Sequence, residues 1–428
     1  MVVNRDWNQM RFFLKLIKSS VYYDVEKLPN GLTSDLSYYQ RLFRWLLFLM
    51  AAPISLLIWL VFRILSRRYK ISIYVLPTFR PGIASMYLST IEPLCRELQY
   101  NHDPEHFTIL INPQEEISRV LTKSYEPHFS LYLDDRRKFL RLVAYLIPQK
   151  GLRKFYLTGK REFDTGWVYP PSRNYINQGI RVPNDLKKLG IEIGNYVLFV
   201  HPSSNYYQKR FPKSVVTSFL QTNIGLDNYE QPLSNIVEKG LQIVRVGTHV
   251  DELPNSLMSI PIIDYAGGKR DYNSELWLYE NCKILVSVSN GAFWFARRFN
   301  RPTIITDSSS FIHRYFSTFY TPYLLKDIKT DKLLSFRQMR RLNLDHAINS
   351  PAEMRSNGLE IIPNSPSTLT ASVNETLDYA NGLTLLDPAD KDLLDKYNSF
   401  CQEFGFVFNE NTTRPTISFL REYSHMLD

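Results

Sequence analysis

Apolar and polar positions divide the chain into two textures. The first is "RLFRWLLFLMAAPISLLIWLVFRILSRRYK", uncharged over the eighteen residues from Trp45 to Phe62. That is about the shortest run able to span a hydrocarbon core of roughly 30 Å. It starts too late for a signal peptide and lacks a small-residue cleavage site. Arg41 and Arg44 precede it, and Arg63, Arg67, Arg68 and Lys70 follow it. With both flanks basic, the positive-inside rule gives no orientation. Pro53 lies near the middle, removes a backbone donor and bends a helix. The expectation is a bent hairpin that dips into one leaflet, ahead of a true span, with both flanks on the cytoplasmic face. Upstream, Met10, Phe13, Leu14 and Ile17 recur at i, i+3, i+4 and i+7, with Arg11, Lys15 and Lys18 opposite. This is the signature of an interfacial helix, with Trp7 as an anchor. The alternative is a buried helical hairpin of a soluble protein.

The second texture begins at Ile71, where short apolar runs alternate with helical stretches, as in α/β layers. "ISIYVLP" and "HFTILINP" read as strands. "RPGIASMYLSTIEPLCREL" and "QEEISRVLTKSY" read as helices, and Tyr125 to Gln149 reads as mainly helical. Pro, Gly and Asn gather in "FDTGWVYPPSRNYINQGIRVPND", which predicts a linker. Beyond it "NYVLFVHPSS" is a buried strand, followed by a helix near Asn228 to Lys239 and the strand "LQIVRVG". Then come "IPIIDYA", the helix "NSELWLYENC" and "KILVSVSNGAFWFARRFNRPTIITD", a strand–corner–helix–strand unit. A Ser-Pro cap starts the helix in "SPSTLTASVNETLDYANG", which ends at Gly382. The expected organisation is a membrane-associated segment over 1–69, an α/β domain over 70–180, a second over 181–385, and a helical tail over 386–428. No repeat or low-complexity segment is evident.

Composition narrows the class. The 428 residues suffice for two cores, and 27 Tyr with 26 Phe argue against disorder. Cys95, Cys282 and Cys401 are scattered and lack CxxC spacing, which argues against a disulfide framework and a zinc site. A formal net charge of +9 points to an acidic partner, either anionic lipid or a phosphorylated substrate. Nucleic acid is not expected, since no recognition motif is present.

Candidate chemistry sits where the second domain's strands end. Two α/β halves make a cleft at the carboxyl ends of their strands. "HPSS", "RVGTH", "DYAGGKR" and "SVSNG" would crowd one sheet edge. In the last corner, a helix starting at Gly291 would offer free N–H groups, with Ser289 and Asn290 adding hydrogen bonds. The same Ser and Asn also serve as ordinary helix caps. Arg245 could pair with a diphosphate or lie on the surface. His201 closes a strand with Ser203 and Ser204 after it, and Lys209-Arg210 are either a phosphate clamp or a solvated pair. Asp264 could accept from a sugar hydroxyl and Tyr265 could stack on a base. No DxD, HExxH, GxGxxG, P-loop or GxSxG motif occurs, so neither metal nor cofactor is expected.

"NYEQPLSNIVEKGLQIVRVG", "IPIIDYA", "NSELWLYENCKILVSVSNGAFWFARRFNRPTIITD" and "EIIPNSPSTLTASVNETLDYANG" together resemble bacterial glycosyltransferases of surface-polysaccharide gene clusters. The resemblance covers most of Asn195 to Leu427. It implies a GT-B architecture of two Rossmann-like domains, with Arg245, Gly247, Asp264, Ser289, Asn290 and Gly291 at donor positions. Thr222 stands where the family often carries an arginine, and "HPSS" replaces "HVR"; the loop "HPSSNYYQKRFP" is closer to heptosyltransferases of lipopolysaccharide synthesis. The reading is a membrane-associated, metal-independent transferase moving a sugar from a nucleotide donor to a glycan or lipid-linked acceptor. Glu92, His102, Asp103, Glu105 and His106 are the candidate bases. The alternative is a non-catalytic GT-B-like scaffold of a polysaccharide assembly complex. A transporter component fits poorly, with one hydrophobic segment.

Overall fold

The structure, a computed structural model, describes residues 38–65, 70–75, 106–113, 131–135, 143, 155–157, 182–203, 225–247, 250–266, 271–288, 290–308, 318–342, 344, 351–383, 386–404 and 414–427. The chain forms two compact units. One comprises 1–79, 94–162 and 208–215; the other comprises 80–93, 163–207 and 216–428.

In the first unit the apolar run folds as one helix, α1 (Tyr38–Leu65), which continues through Pro53. The hairpin expected from Pro53 does not form there. Proline removes one i to i−4 bond, and the strong helix formers around it carry the helix past that loss. Among the described residues, no helix is long and apolar enough to cross a membrane; the side chains described in α1 begin at Leu49. The expected amphipathic stretch from Trp7 to Lys18 lies outside the described residues.

The same unit holds a parallel sheet of β1 (Lys70–Val75), β2 (His106–Pro113), β3 (Leu131–Asp135) and β4 (Phe155–Leu157), in the order β3-β2-β1-β4. The strand β3 corrects the helical reading of Tyr125 to Gln149. "LYLDD" is too short for periodicity to separate strand from helix, and pairing with β2 decides it.

The second unit begins with α2 (Asn184–Lys188) and β5 (Tyr196–Val200). A 3-10 turn at Leu226–Tyr229 leads into α3 (Glu230–Glu238), β6 (Gln242–Arg245), α4 (Asn255–Met258) and β7 (Ile262–Asp264). Next come α5 (Tyr272–Asn281), β8 (Ile284–Val288), α6 (Phe293–Arg298), β9 (Thr303–Ser308) and β10 (Thr318–Pro322). These strands, with β14 (Arg414–Pro415), make a seven-stranded parallel sheet in the order β14-β10-β9-β8-β5-β6-β7. The stretch 386–428, expected to be a helical tail, thus adds an edge strand beside the helices Pro388–Glu403 and Ile417–Glu422.

Period-two alternation sends β5 side chains to both faces of this sheet. Val197 and Phe199 join Val286, Ile304 and the helical residues Leu233 and Ile236 in one core. On the other face Tyr196 stacks on Trp277 of α5, with ring centroids 6.4 Å apart. Both faces are covered, which is why β5 reads as a continuous apolar run and β8 as a nearly continuous one. A small antiparallel sheet follows, built from β11 (Leu324–Asp327), β12 (Lys332–Leu333) and β13 (Leu359–Ile362), with α7 (Phe336–Arg341) and α8 (Pro351–Ser356) between the last two. Then α9 (Pro366–Ala380) packs Leu369, Val373 and Leu377 into the main core. Its Ser365 cap and the left-handed Gly382 after it fall where the sequence signals put them.

Candidate functional site

The chain order of the large sheet places a ligand edge. From β5 the connections run outward through β6 to β7; from β8 they run the other way through β9 to β10. The reversal lies between β5 and β8, which are hydrogen-bonded neighbours. In open α/β sheets, loops leaving the carboxyl ends of two such strands part and leave a crevice. Here those loops include His201-Pro202-Ser203 after β5 and Asn290-Gly291 after β8.

Beside the crevice, buried contacts lock the loops. Arg245, at the end of β6, is 1% exposed. Its Nη1 donates to Asp264 Oδ2 at 3.2 Å and its Nη2 to the Asp251 carbonyl. Burial pulls the Arg245 guanidinium below its usual range, and Asp264 opposes that shift. Ser203 Oγ donates to Asp251 Oδ1 at 2.5 Å, tying the loop after β5 to the loop after β6. Arg245 is therefore first a structural ion-pair partner rather than an open anion receptor, and only its Nε lacks a hydrogen-bond partner among the described residues. Gly247 follows with a positive φ, and a Cβ built there would meet Val250 at 2.7 Å. This turn therefore requires glycine.

The other expected site residues separate by environment. His201 is buried, its ring set edge-on to Tyr229 at 5.5 Å and tilted against Phe199 at 6.4 Å. Asp264 keeps an exposed side on its carboxylate, while its Oδ1 accepts from Ala266 N. Tyr265 is buried, donates to Asp185 Oδ2 at 2.9 Å and accepts from Asp271 N at 3.2 Å. A ring held this way is not free to stack on a base, because the tie to α2 and α5 fixes it. Asn290 Oδ1 accepts from Ala292 N at 2.6 Å and its Nδ2 donates to Ser287 Oγ at 2.7 Å, so its side chain caps the corner. The helix α6 begins at Phe293, not Gly291, and has six residues. Gly291 itself is exposed on the turn. Ser289, Ser204, Lys209, Arg210 and Thr222 lie outside the described residues.

Of the base candidates, Glu92, His102, Asp103 and Glu105 also lie outside the described residues. His106 opens β2 and so stands at the amino end of the first unit's sheet, away from its ligand edge. The carboxyl end of that sheet carries Asn112 in register with Asp134, and Pro113 with Asp135. Reading this stretch as helix hid both aspartates. Five residues carry no period that marks "LYLDD" as a strand, and its two closing aspartates are set at this edge only by pairing with β2.

Further along the large sheet, Asp307 near the end of β9 is fully buried and has a positive φ. Its Oδ1 accepts from Asn364 N and Nδ2, both at 2.7 Å, and Oδ2 has no hydrogen-bond partner among the described residues. Burial pushes its carboxyl up to about 7, against the lowering effect of the Asn364 bonds. Among the described residues, no three His, Cys, Asp or Glu side chains cluster to hold a metal.

No family model matches the chain, and no curated protein matches it in sequence. Among solved structures it is similar to the glycosyl transferase family 9 protein of Veillonella parvula, with 12% identity, 72% of this chain, 97% of that one and a TM-score of 0.39. It is also similar to the ADP-heptose lipopolysaccharide heptosyltransferase II of E. coli, with 15% identity, 59% and 89% coverage and a TM-score of 0.36. A third is the iron-containing dodecameric glycosyltransferase TibC of enterotoxigenic E. coli, with 11% identity, 58% of this chain and a TM-score of 0.35. The match spans 62% of TibC. All three are glycosyltransferases.

Proposed function

We propose that the chain is a glycosyltransferase of GT-B type, its second unit holding a nucleotide-sugar donor at the edge between β5 and β8. One observation carries this reading: the strand order reverses between these two strands, and an exposed glycine follows β8 there. A diphosphate can approach a glycine backbone closely enough to take its N–H groups. The sequence blocks from Asn195 onward support the same class. The first unit is assigned the acceptor, a glycan or a lipid-linked sugar, with Asp134 and Asp135 replacing His106 as candidate bases. Transfer is proposed to need no metal, so EDTA should leave it intact.

The test is calorimetric binding of ADP, UDP and GDP to the full chain. At least one should bind, and Gly291→Val should abolish binding with the melting temperature unchanged. If Gly291→Val binds like the parent, the corner is an ordinary βα turn and the site is wrong. Arg245, Tyr265 and Asn290 are all engaged internally, which favours a second reading, a non-catalytic subunit that binds no donor. Absence of binding by all three nucleotides, and of any stabilisation by them, would select it.

A further inference from the structure

The helix α1 divides its circumference between protein and something else. Ala51 and Ser55 are buried, and Ser55 Oγ lies 2.7 Å from the Ala51 carbonyl and 2.9 Å from that of Val143, in the same unit. Ile58 is half-buried on the same side. Opposite lie Met50, Leu56, Leu57, Leu60 and Ile64, between 47% and 70% exposed. By helical periodicity these cover about a third of the circumference, and the exposed Ile54, Val61 and Leu65 widen that to about half. That is broader than the stripe one partner helix covers. The centre of the narrower arc, of Met50, Leu56, Leu57, Leu60 and Ile64, points away from the stripe that holds Val143.

Charge identifies the occupant. No acidic residue occurs from Tyr38 to Lys70, whereas Arg41, Arg44, Arg63, Arg67, Arg68 and Lys70 frame the apolar arc in sequence. Arg63 falls at the edge of the arc and lies over the Trp59 ring, 5.2 Å from its centroid. Apolar surface rimmed by a cation and an indole suits the boundary between acyl chains and anionic headgroups.

We propose that α1 is an in-plane seat: it lies within one leaflet of an anionic bilayer while its Ala51–Ser55 stripe fixes it to the first unit. Ser55 is mid-helix, so a perpendicular crossing would draw the Val143 carbonyl and its unit toward the hydrocarbon centre, where backbone polar groups are costly. The seat differs from a flexible tether because the anchor and the unit move together. It is independent of the donor site.

The experiment floats the full chain with phosphatidylcholine vesicles, with and without phosphatidylglycerol. The chain should float with both and more strongly with phosphatidylglycerol, the difference shrinking with salt. Leu57→Asp with Ile64→Asp should weaken flotation by more than about tenfold. Arg63→Gln, a surface change, should weaken it about fivefold on phosphatidylglycerol vesicles and leave it unchanged on phosphatidylcholine. Impermeant thiol reagents should label Gln40→Cys and Ser66→Cys, which flank the apolar run in sequence, from the same side of sealed vesicles. Labelling from opposite sides would overturn the seat in favour of a span. Self-association through this face, abolished by the double aspartate variant while vesicles recruit nothing, would overturn it in favour of a second copy. Unchanged flotation of the Arg63→Gln and double variants would also overturn it.

Discussion

Two buried charges at the same edge of the large sheet are handled in opposite ways. At the end of β6, Arg245 is matched by a carboxylate, Asp264, and by the Asp251 carbonyl. At the end of β9, Asp307 is matched by no cation among the described residues; a neutral amide, Asn364, supplies its hydrogen bonds. The first arrangement keeps both charges by pairing them. The second is satisfied best when the charge is absent, because a lone carboxylate in a dry site is costly. The β6 end is thus fixed across ordinary pH, while the β9 end should respond to pH near neutrality.

The largest effect expected is Arg245→Ala. It removes a side chain that ties the end of β6 to Asp264 and to the Asp251 carbonyl, and breaking a buried pair costs about 3–5 kcal/mol. Asp264 retains access to water, so the lower end, about 3 kcal/mol, is expected in urea unfolding of the full chain. A stability equal to the parent's would show that the pair contributes nothing. Any loss of nucleotide binding in this variant then reports folding as well as contact.

The opposite sign is expected at β9. The folded carboxyl titrates at about 7 and the ordinary value is 3.8, so the folded state holds the extra proton between these values. Stability should fall as pH rises from about 4 to 7 and level off above. Asp307→Asn keeps an acceptor for Asn364 and carries no charge. It should flatten that slope and stabilise the chain at pH 8 by on the order of 2 kcal/mol. Urea midpoints at pH 5 and pH 8 measure both effects; an unchanged slope would place the titration elsewhere.

A smaller backbone effect should follow at Gly247→Ala. The positive φ and the Val250 contact strain any side chain placed there. The cost of holding such a backbone conformation is about 1–3 kcal/mol. Arg245 and its partners are untouched by the exchange, so the variant separates the turn from the ion pair beside it. A melting temperature equal to the parent's would mean that the turn relaxes freely.

These contrasts show what the sequence makes legible. Strands β5 and β8 are plain because both faces are buried, giving runs such as "YVLFV" and "ILVSV", interrupted only by the buried Ser287. The helix α9 is plain because Ser365, Pro366 and Gly382 punctuate it locally. Arg245 at a strand end looks free in sequence, since nothing nearby reveals that the Asp251 carbonyl returns to it. Asp307 is harder still, as its partner Asn364 stands 57 residues away. The strand β3 was hidden for a different reason: five residues cannot establish a period, and its identity comes from pairing with β2. Local chemistry is readable, whereas burial and partners set by topology are not.

The smallest effect is expected at a third charge, Asp185, whose carboxyl shifts in the direction opposite to that of Asp307. Asp185 is only partly covered. Desolvation raises its carboxyl pKa, but hydrogen bonds from Ser274 Oγ at 2.8 Å and Tyr265 at 2.9 Å outweigh that and hold it below its usual range. A depressed carboxyl stabilises the fold above its ordinary value of 3.8, and that contribution fades as pH falls through the lower folded value. Tyr265→Phe deletes one of these bonds and keeps the ring. It should cost about 1 kcal/mol at neutral pH, and less in acid once Asp185 is protonated. Nucleotide binding should be unchanged, because the hydroxyl is already committed to α2 and α5. A Tyr265→Phe variant that keeps its stability but loses nucleotide binding would instead return Tyr265 to the donor site.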